Sequence, residues 1–152
     1  MHVVLVHPLI PQNTGSIARL CAGTDTDLHL VEPLGFSLSD RHLKRAGLDY
    51  WDAVRLHIHA NLETLFDQFR PERIGLLSSH AQRPYAELTG TPDSWFFFGR
   101  ETTGLPPEFR TQHPAALFKI PMTGHIRSLN LSNAVSIVVY DALRQQRFPG
   151  LT

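Results

Sequence analysis

The sequence has a single cysteine, Cys21, among its 152 residues. One cysteine excludes an internal disulfide and a zinc site built from cysteines, and it favours a reducing environment. No apolar run approaches the roughly 18 residues of a membrane span. Strand-like sequence follows Met1-His2 directly, without the charged segment and long apolar core of a secretory signal. We therefore expect a cytoplasmic protein with no membrane segment.

An excess of charge is also missing, because fourteen basic residues balance fourteen acidic ones. The overall electric field therefore attracts a polyanion only weakly, and binding to nucleic acid would depend on local basic patches or on two copies of a patch in an oligomer. Composition alone favours a small-molecule enzyme. With 42% hydrophobic and 18% charged residues, the chain has the composition of a globular domain rather than of a disordered segment.

Short aliphatic runs alternate with amphipathic segments along the chain. The runs predict six strands: Val3 to Val6, Leu28 to Val31, Ala53 to Ile58, Ile74 to Leu77, Trp95 to Phe98 and Leu117 to Ile120. The other segments predict helices that begin at Asn13 or Thr14, run from Ser39-Asp40 to Gly47, run from Leu62 to Phe69, begin at Pro106-Pro107, and run from about Ser132 to Arg144. This alternation predicts one α/β domain, residues 1–152, with a parallel sheet covered on both faces.

Polar loops follow several of the predicted strands. Ligands of parallel α/β sheets bind beyond the carboxyl ends of the strands, so these loops predict a polar cluster at one rim: Asn13, Arg19, Arg100, Glu101, Arg127, Ser128 and Asn130. The glycine patterns of Rossmann and Walker nucleotide sites are absent. A nucleotide would therefore be bound with a different geometry.

Each of these features also has an ordinary structural explanation. Gly99 to Gly104 fits a plain glycine turn, and Ser132 or Asn133 fits a helix cap, a role for which Ser128 and Asn130 lie too early. Arg19 fits an ordinary solvated surface residue. The basic helix face of Arg41, Lys44 and Arg45 also fits a solvated surface, and its alternative role is contact with phosphate. His57 and His59 share a strand face, but no motif of metal ligands accompanies them, so no metal site is predicted.

Three segments together resemble the motifs of SPOUT-class RNA 2′-O-methyltransferases. They are Asn13 to Arg19, Phe98 to Pro106, and Ile120-Pro121-Met122 followed by Arg127 to Ser136. The segments Glu32 to Phe36 and Arg45 to Tyr50 are similar to the minimal branch of that family, the tRNA (cytidine/uridine-2′-O)-methyltransferases that act on the wobble nucleotide. The resemblance covers nearly the whole chain.

Several expectations follow from this resemblance and from nothing else in the sequence. It implies a single-domain α/β fold with a C-terminal trefoil knot, a homodimer, and a tRNA site built from both subunits. The implied cofactor is S-adenosylmethionine, held largely by backbone groups at the matching positions Leu77, Gly99, Gly104, Ile120, Ser128 and Leu129. The implied RNA contacts are Arg41, Lys44, Arg45 and Arg127.

The resemblance also implies roles in the reaction. Arg19 is the candidate for assisting removal of the ribose 2′-hydroxyl proton, or for holding phosphate and ribose, since an arginine stays protonated in proteins. Asn13, Glu101 and Asn130 would orient Arg19, the nucleotide and the cofactor, and no metal is needed. Three alternatives remain: methylation of another tRNA position or of ribosomal RNA, a non-catalytic RNA-binding module of the same fold, and a flavodoxin-like small-molecule enzyme.

Overall fold

The computed structural model describes residues 1–39 and 50–152. Its strands are β1 (His2–Val6), β2 (Asp27–Val31), β3 (Leu56–His59), β4 (Arg73–Leu77), β5 (Arg83–Pro84), β6 (Ser94–Phe98) and β7 (Leu117–Lys119). Its helices are α1 (Pro11–Gly23), α2 (Leu62–Phe69), α3 (Pro107–Gln112) and α4 (Leu131–Gln145), and short 3₁₀ turns cover Trp51–Ala53, Tyr85–Glu87 and Pro114–Ala116. The basic helix predicted from Ser39-Asp40 to Gly47, with its Arg41, Lys44 and Arg45, falls outside the described residues.

The strands of the described ranges form one parallel sheet in the order β3-β2-β1-β6-β4-β7-β5. The predicted parallel α/β sheet is therefore confirmed. Strand β6 lies at the centre, between β1 and β4. All carboxyl ends of a parallel sheet lie along one edge, so the loops after β1, β4, β6 and β7 come together there.

Two apolar layers cover the sheet, one on each face. Alternate residues of β1 belong to different layers, because successive side chains of a strand point to opposite faces. Val3 and Leu5 pack with Ile17 of α1 and with the apolar side of α4. Val4 and Val6 pack in the other layer, which α2 and α3 cover. Burial on both faces explains why the strands are continuous aliphatic runs.

Element boundaries differ most from the prediction at α1, β3 and β5. Helix α1 begins at Pro11, not at a cap on Asn13 or Thr14, because proline favours the first helical turn and both of those residues are buried inside the helix. The third strand is shorter than predicted and is preceded by a 3₁₀ turn, Trp51–Ala53. Strand β5 was not predicted, since two residues give no periodicity.

Within residues 1–39 and 50–152, no helix has the length and apolar character required to cross a bilayer.

Five polar residues stand together on the α2 face of β1, β2 and β3. We call them the histidine cluster: His2, Asp27, His29, His57 and His59. The rings are linked in a row, with His2 Nδ1 3.1 Å from His29 Nε2 and His29 Nδ1 3.0 Å from His59 Nε2. Burial, with smaller effects of the neighbouring histidines, lowers the pKa of His29 to about 2. Burial likewise lowers the pKa of His2 to about 4.

These shifts predict acid sensitivity. In the unfolded chain His29 binds a proton near its usual pKa of 6.5, whereas the folded protein keeps it neutral, so acid stabilises only the unfolded state. We expect the free energy of unfolding of chelator-treated protein to fall by about 2 kcal/mol from His29 alone between pH 7 and pH 5. Urea unfolding across this range measures it. His125→Gln, which changes an exposed histidine, should show the same loss of stability at low pH. A free energy of unfolding that does not change between pH 7 and pH 5 would contradict the lowered pKa of His29.

Candidate active site

A cavity of about 700 Å³ opens at the carboxyl ends of β4, β6 and β7. This volume lies within the range of small-molecule sites, roughly 300–1,000 Å³. Three loops and the start of α1 line it. The lining residues are Ile10, Asn13, Leu77, Ser78, Ser79, His80, Phe98, Gly99, Arg100, Glu101, Thr102, Thr103, Gly104, Leu105, Ile120, Met122, Arg127, Ser128, Leu129, Asn130, Leu131 and Ala134.

Every candidate cofactor residue named from the sequence lines this cavity. They come from the end of β4 and from the loops after β6 and β7: Leu77, Gly99, Gly104, Ile120, Ser128 and Leu129. Apolar lining residues such as Phe98, Leu105 and Ala134 were not singled out in the sequence. Phe98 could have been identified from its position, because it is the last residue of β6 and immediately precedes the glycine turn.

The loop after β6 is closed on itself. Arg100 N–H donates to the Gly104 carbonyl over 3.1 Å, and Gly104 N–H donates to the Arg100 carbonyl over 2.8 Å. Gly104 has φ +73°, in the region that favours glycine. A Cβ on Gly99 would collide with the backbone of Gly104 and Leu105. Both glycines are therefore required by the turn, and the same turn forms a wall of the cavity.

Glu101 ties this loop to the start of α1. Its Oε2 accepts a hydrogen bond from Leu9 N–H at 2.8 Å, and its Oε1 accepts from Ile10 N–H at 3.1 Å. The same Oε1 accepts from Asn13 Nδ2 at 3.2 Å. Asn13 Oδ1 in turn accepts from Asn130 Nδ2 at 3.0 Å. One chain of hydrogen bonds thus joins the three sequence motifs, and we call it the Glu101–Asn13–Asn130 network.

Asn130 also caps helix α4. Its Oδ1 accepts from the backbone N–H of Ser132 at 2.9 Å and of Asn133 at 3.4 Å. The prediction that Ser132 or Asn133 is the cap, and that Asn130 lies too early, was therefore wrong. An N-cap side chain serves the amides two and three residues further on, and α4 begins at Leu131, one residue earlier than expected. The Asn130 amide consequently fixes α4 relative to the network.

The network makes a prediction about stability. In Glu101→Gln one carboxylate oxygen becomes an NH₂ group, which faces an N–H donor and leaves it without an acceptor. We expect the free energy of unfolding to fall by about 1–3 kcal/mol, the usual cost of such a loss. Urea unfolding measures this difference. Glu108→Gln, on the exposed side of α3, is the matched control and should change little; equal stabilities for both variants would argue against the network.

Arg19 lies apart from the cavity. It is exposed on α1 and does not line the cavity of its own chain, whereas Arg127 does. The Arg19 guanidinium carbon lies 5.5 Å from the centre of the Tyr50 ring. The Tyr50 hydroxyl donates to the carbonyl of Gly15, one turn earlier on α1, over 3.2 Å. Tyr50 therefore contacts two positions one turn apart on α1, the carbonyl of Gly15 and the guanidinium of Arg19.

Fold and cavity define a parallel α/β protein with a cavity of small-molecule size at its strand ends, where polar loops meet. The chain belongs to the SpoU rRNA Methylase family, whose model matches residues 1–140. The family resemblance inferred from the three motifs is thereby confirmed.

Individual relatives agree with this placement. The chain is 46% identical to a tRNA (cytidine(34)-2′-O)-methyltransferase of Acidovorax sp. strain JS42, over 97% of this chain and 93% of that protein. A solved structure that concerns 2-OH methylation of C/U34 on tRNA is 41% identical and has a TM-score of 0.91, covering 96% of this chain and 95% of that one. The SpoU methyltransferase AviRb from Streptomyces viridochromogenes, solved in complex with AdoMet, shares the fold at 22% identity, with a TM-score of 0.87 over 97% of this chain and 60% of that one.

Proposed function

We propose that this protein transfers a methyl group from S-adenosylmethionine to the ribose 2′-hydroxyl of the wobble nucleotide of tRNA, a cytidine or uridine. One observation carries the proposal: all six candidate cofactor residues converge on one cavity, in a chain similar over nearly its full length to a tRNA (cytidine(34)-2′-O)-methyltransferase. The protein works as a single domain, residues 1–152, in the cytoplasm. The reaction needs no metal.

The cavity suits the cofactor in size and in lining. Its volume of about 700 Å³ accommodates a nucleoside with an amino-acid tail. Leu77, Gly99 and Ile120 line its wall, and the lack of a side chain on Gly99 lets the backbone of Gly104 and Leu105 close the turn that forms part of this wall. When bound, the cofactor supplies a methyl group that is already activated by the sulfonium. The protein's task is then to align the acceptor oxygen with that methyl group.

We also propose that the chain forms the trefoil knot of SPOUT proteins at this site. Two features support the proposal. The loop of Gly99 to Gly104 and the segment before α4 line the same cavity, although β7 and α3 separate them in sequence. The Glu101–Asn13–Asn130 network binds both to the start of α1.

Arg19 is proposed to hold the phosphate and ribose of the target nucleotide. The guanidinium stays protonated, so its contribution is positive charge beside the reacting hydroxyl rather than proton removal. Transfer would replace the methyl–sulfur bond of the cofactor with the new methyl–oxygen bond and release the cofactor as the neutral thioether, and the hydroxyl proton would pass to the substrate phosphate or to solvent. Asn13, Glu101 and Asn130 keep the α1 segment that carries Arg19 in register with the cavity wall.

A homodimer is proposed for two reasons. Arg19 is exposed and does not line its own cavity, so a second protomer is a natural source of the arginine that acts there. The net charge is zero, so a single protomer attracts RNA only weakly. A symmetric pair would present each basic patch twice to the RNA. Arg127 at the cavity and Arg41, Lys44 and Arg45, which fall in the undescribed range 40–49, are the proposed phosphate contacts.

Methyl transfer from isotope-labelled cofactor to purified RNA fractions tests the function. We expect label in total tRNA from a strain that lacks this activity and none in ribosomal RNA. Label confined to ribosomal RNA would keep the chemistry and overturn the substrate. Cofactor binding without transfer to either RNA would favour a non-catalytic binding module.

A further inference from the structure

The histidine cluster takes no part in the proposed methyl transfer. None of its five residues lines the cavity, which opens at the carboxyl ends of the strands, whereas His2 and Asp27 begin β1 and β2. His29 is fully buried, and His59 is 2% exposed. Buried polar rings are costly unless their nitrogens are satisfied. A row of them in an otherwise apolar layer therefore calls for a chemical explanation.

Three members of the cluster converge on one point. His2 Nδ1 and His29 Nε2 are 3.1 Å apart, and one potential ligand atom from each of His2, Asp27 and His29 lies within 4.8 Å of the other two. A tetrahedral zinc ion with bonds of roughly 2.0–2.2 Å holds its ligand atoms roughly 3.4 Å apart. The distance of 3.1 Å between His2 Nδ1 and His29 Nε2 is close to that spacing. This is the one such group of potential ligands in residues 1–39 and 50–152.

The carboxylate is held in place by neighbours. Asp27 Oδ2 accepts a hydrogen bond from His57 Nε2 at 2.9 Å, and Oδ1 accepts from Arg55 Nε at 2.7 Å. Arg55 also forms an ion pair with Asp25. Two carboxylates face the Arg55 guanidinium, and the amino group of Met1 lies close enough to interact with both of them, so Asp27 offers an anionic ligand in a group of charges that is balanced overall. Metal-binding carboxylates commonly have such supporting hydrogen bonds.

The two imidazole rings are oriented as well. The His2 ring stacks on Trp95 with centroids 3.8 Å apart and an interplanar angle of 7°. His29 Nδ1 lies 3.0 Å from His59 Nε2. When His29 carries its proton on Nδ1 and donates it to His59, its Nε2 presents a lone pair towards His2 and Asp27. A second hydrogen bond that fixes the tautomer is characteristic of metal-binding histidines.

The position is open to an ion and offers ligand types that suit one. His2 and Asp27 are only partly buried, which gives an ion a path from solvent. Two imidazoles and a carboxylate match the ligand preference of zinc.

We propose that His2, Asp27 and His29 form a zinc-binding site that joins the starts of β1 and β2, with solvent completing the coordination. The site is structural and separate from methyl transfer. It departs from the sequence-based prediction of no metal site, which rested on the absence of ligand motifs with local spacing. His2 and His29 are 27 residues apart, and only the pairing of β1 with β2 brings them together.

Zinc binding to untagged, chelator-treated protein tests the proposal. We expect titration calorimetry near neutral pH to show one equivalent of zinc bound, and we expect the melting temperature to rise with zinc concentration, because the ion binds only the folded state. Cobalt substitution should give the visible absorption of a low-symmetry site with nitrogen and oxygen ligands. Absence of stoichiometric binding would overturn the proposal and leave a direct N–H···N bond between His2 and His29 as the explanation of their contact.

Variants locate the site. His2→Gln and Asp27→Asn change partly exposed residues, so both proteins should fold, and each should weaken zinc binding at least tenfold while leaving methyl transfer unchanged. His125→Gln, an exposed histidine outside the cluster, is the matched control and should bind zinc like the unaltered protein. Equal affinity in His2→Gln and the unaltered protein, or equal losses in His2→Gln and His125→Gln, would contradict the assignment.

Discussion

Arg19→Ala is expected to lower the rate of methyl transfer to tRNA roughly a hundredfold to a thousandfold, the usual effect of removing one charge-stabilising donor from an active site. The reason is the proposed role of the guanidinium beside the phosphate and ribose of the target nucleotide. Affinity for S-adenosylmethionine should stay within about twofold, because Arg19 is not among the candidate cofactor residues and does not line the cavity of its own chain. Single-turnover transfer and calorimetric cofactor titration measure the two effects separately.

Two further variants sharpen this experiment. Arg73→Ala removes another exposed arginine, at the start of β4 and so at the opposite end of the sheet, and should transfer at the normal rate. Arg19→Lys keeps the charge but loses the two-pronged donor, so we expect an intermediate rate. Normal turnover by Arg19→Ala would remove this residue from the mechanism, and a matching loss of cofactor affinity would indicate a structural role instead.

Gly99→Ala is expected to abolish cofactor binding, with affinity at least a hundredfold lower, and to destabilise the fold by several kcal/mol. The added Cβ collides with the backbone of Gly104 and Leu105, which are held by the turn and have no flexible side-chain end to move aside. Relief would require opening the loop that forms the cavity wall, and overpacking of this kind costs about 1–3 kcal/mol or more. Calorimetry with S-adenosylmethionine and thermal unfolding measure both effects.

Gly23→Ala is the matched control for this substitution. Gly23 ends α1, and a Cβ there meets no atom within 4 Å. Since alanine restricts the unfolded chain more than glycine does, this variant should keep cofactor affinity and be equally or slightly more stable. Normal cofactor affinity in Gly99→Ala would show that the loop yields more easily than its geometry implies.

The sequence predicted the sheet and the cavity better than the element boundaries. Aliphatic runs such as Val3 to Val6 are buried on both faces, and that burial produces a pattern that is visible without a structure. The candidate cofactor residues were named from the family resemblance, whereas the convergence of loops at the strand ends of a parallel sheet predicted that polar residues gather at the same rim. Those two rules are general, which explains why they carried over to this chain.

The errors came from contacts between distant residues. Asn13 is not a helix cap because its side chain is bound to Glu101 and Asn130, which are 88 and 117 residues away. Asn130 caps α4 while its amide nitrogen contacts Asn13, a double role that local spacing does not reveal. The contact of His2 with His29 likewise exists only once β1 and β2 pair.

The most direct test of the proposed function is mapping of the methylated nucleotide in tRNA from a strain lacking this activity, after incubation with the protein and labelled S-adenosylmethionine. The account predicts a single 2′-O-methyl group at nucleotide 34, on cytidine or uridine, and no label when position 34 carries a 2′-deoxyribose. Methylation at another ribose, or label that persists on the 2′-deoxy substrate, would contradict it.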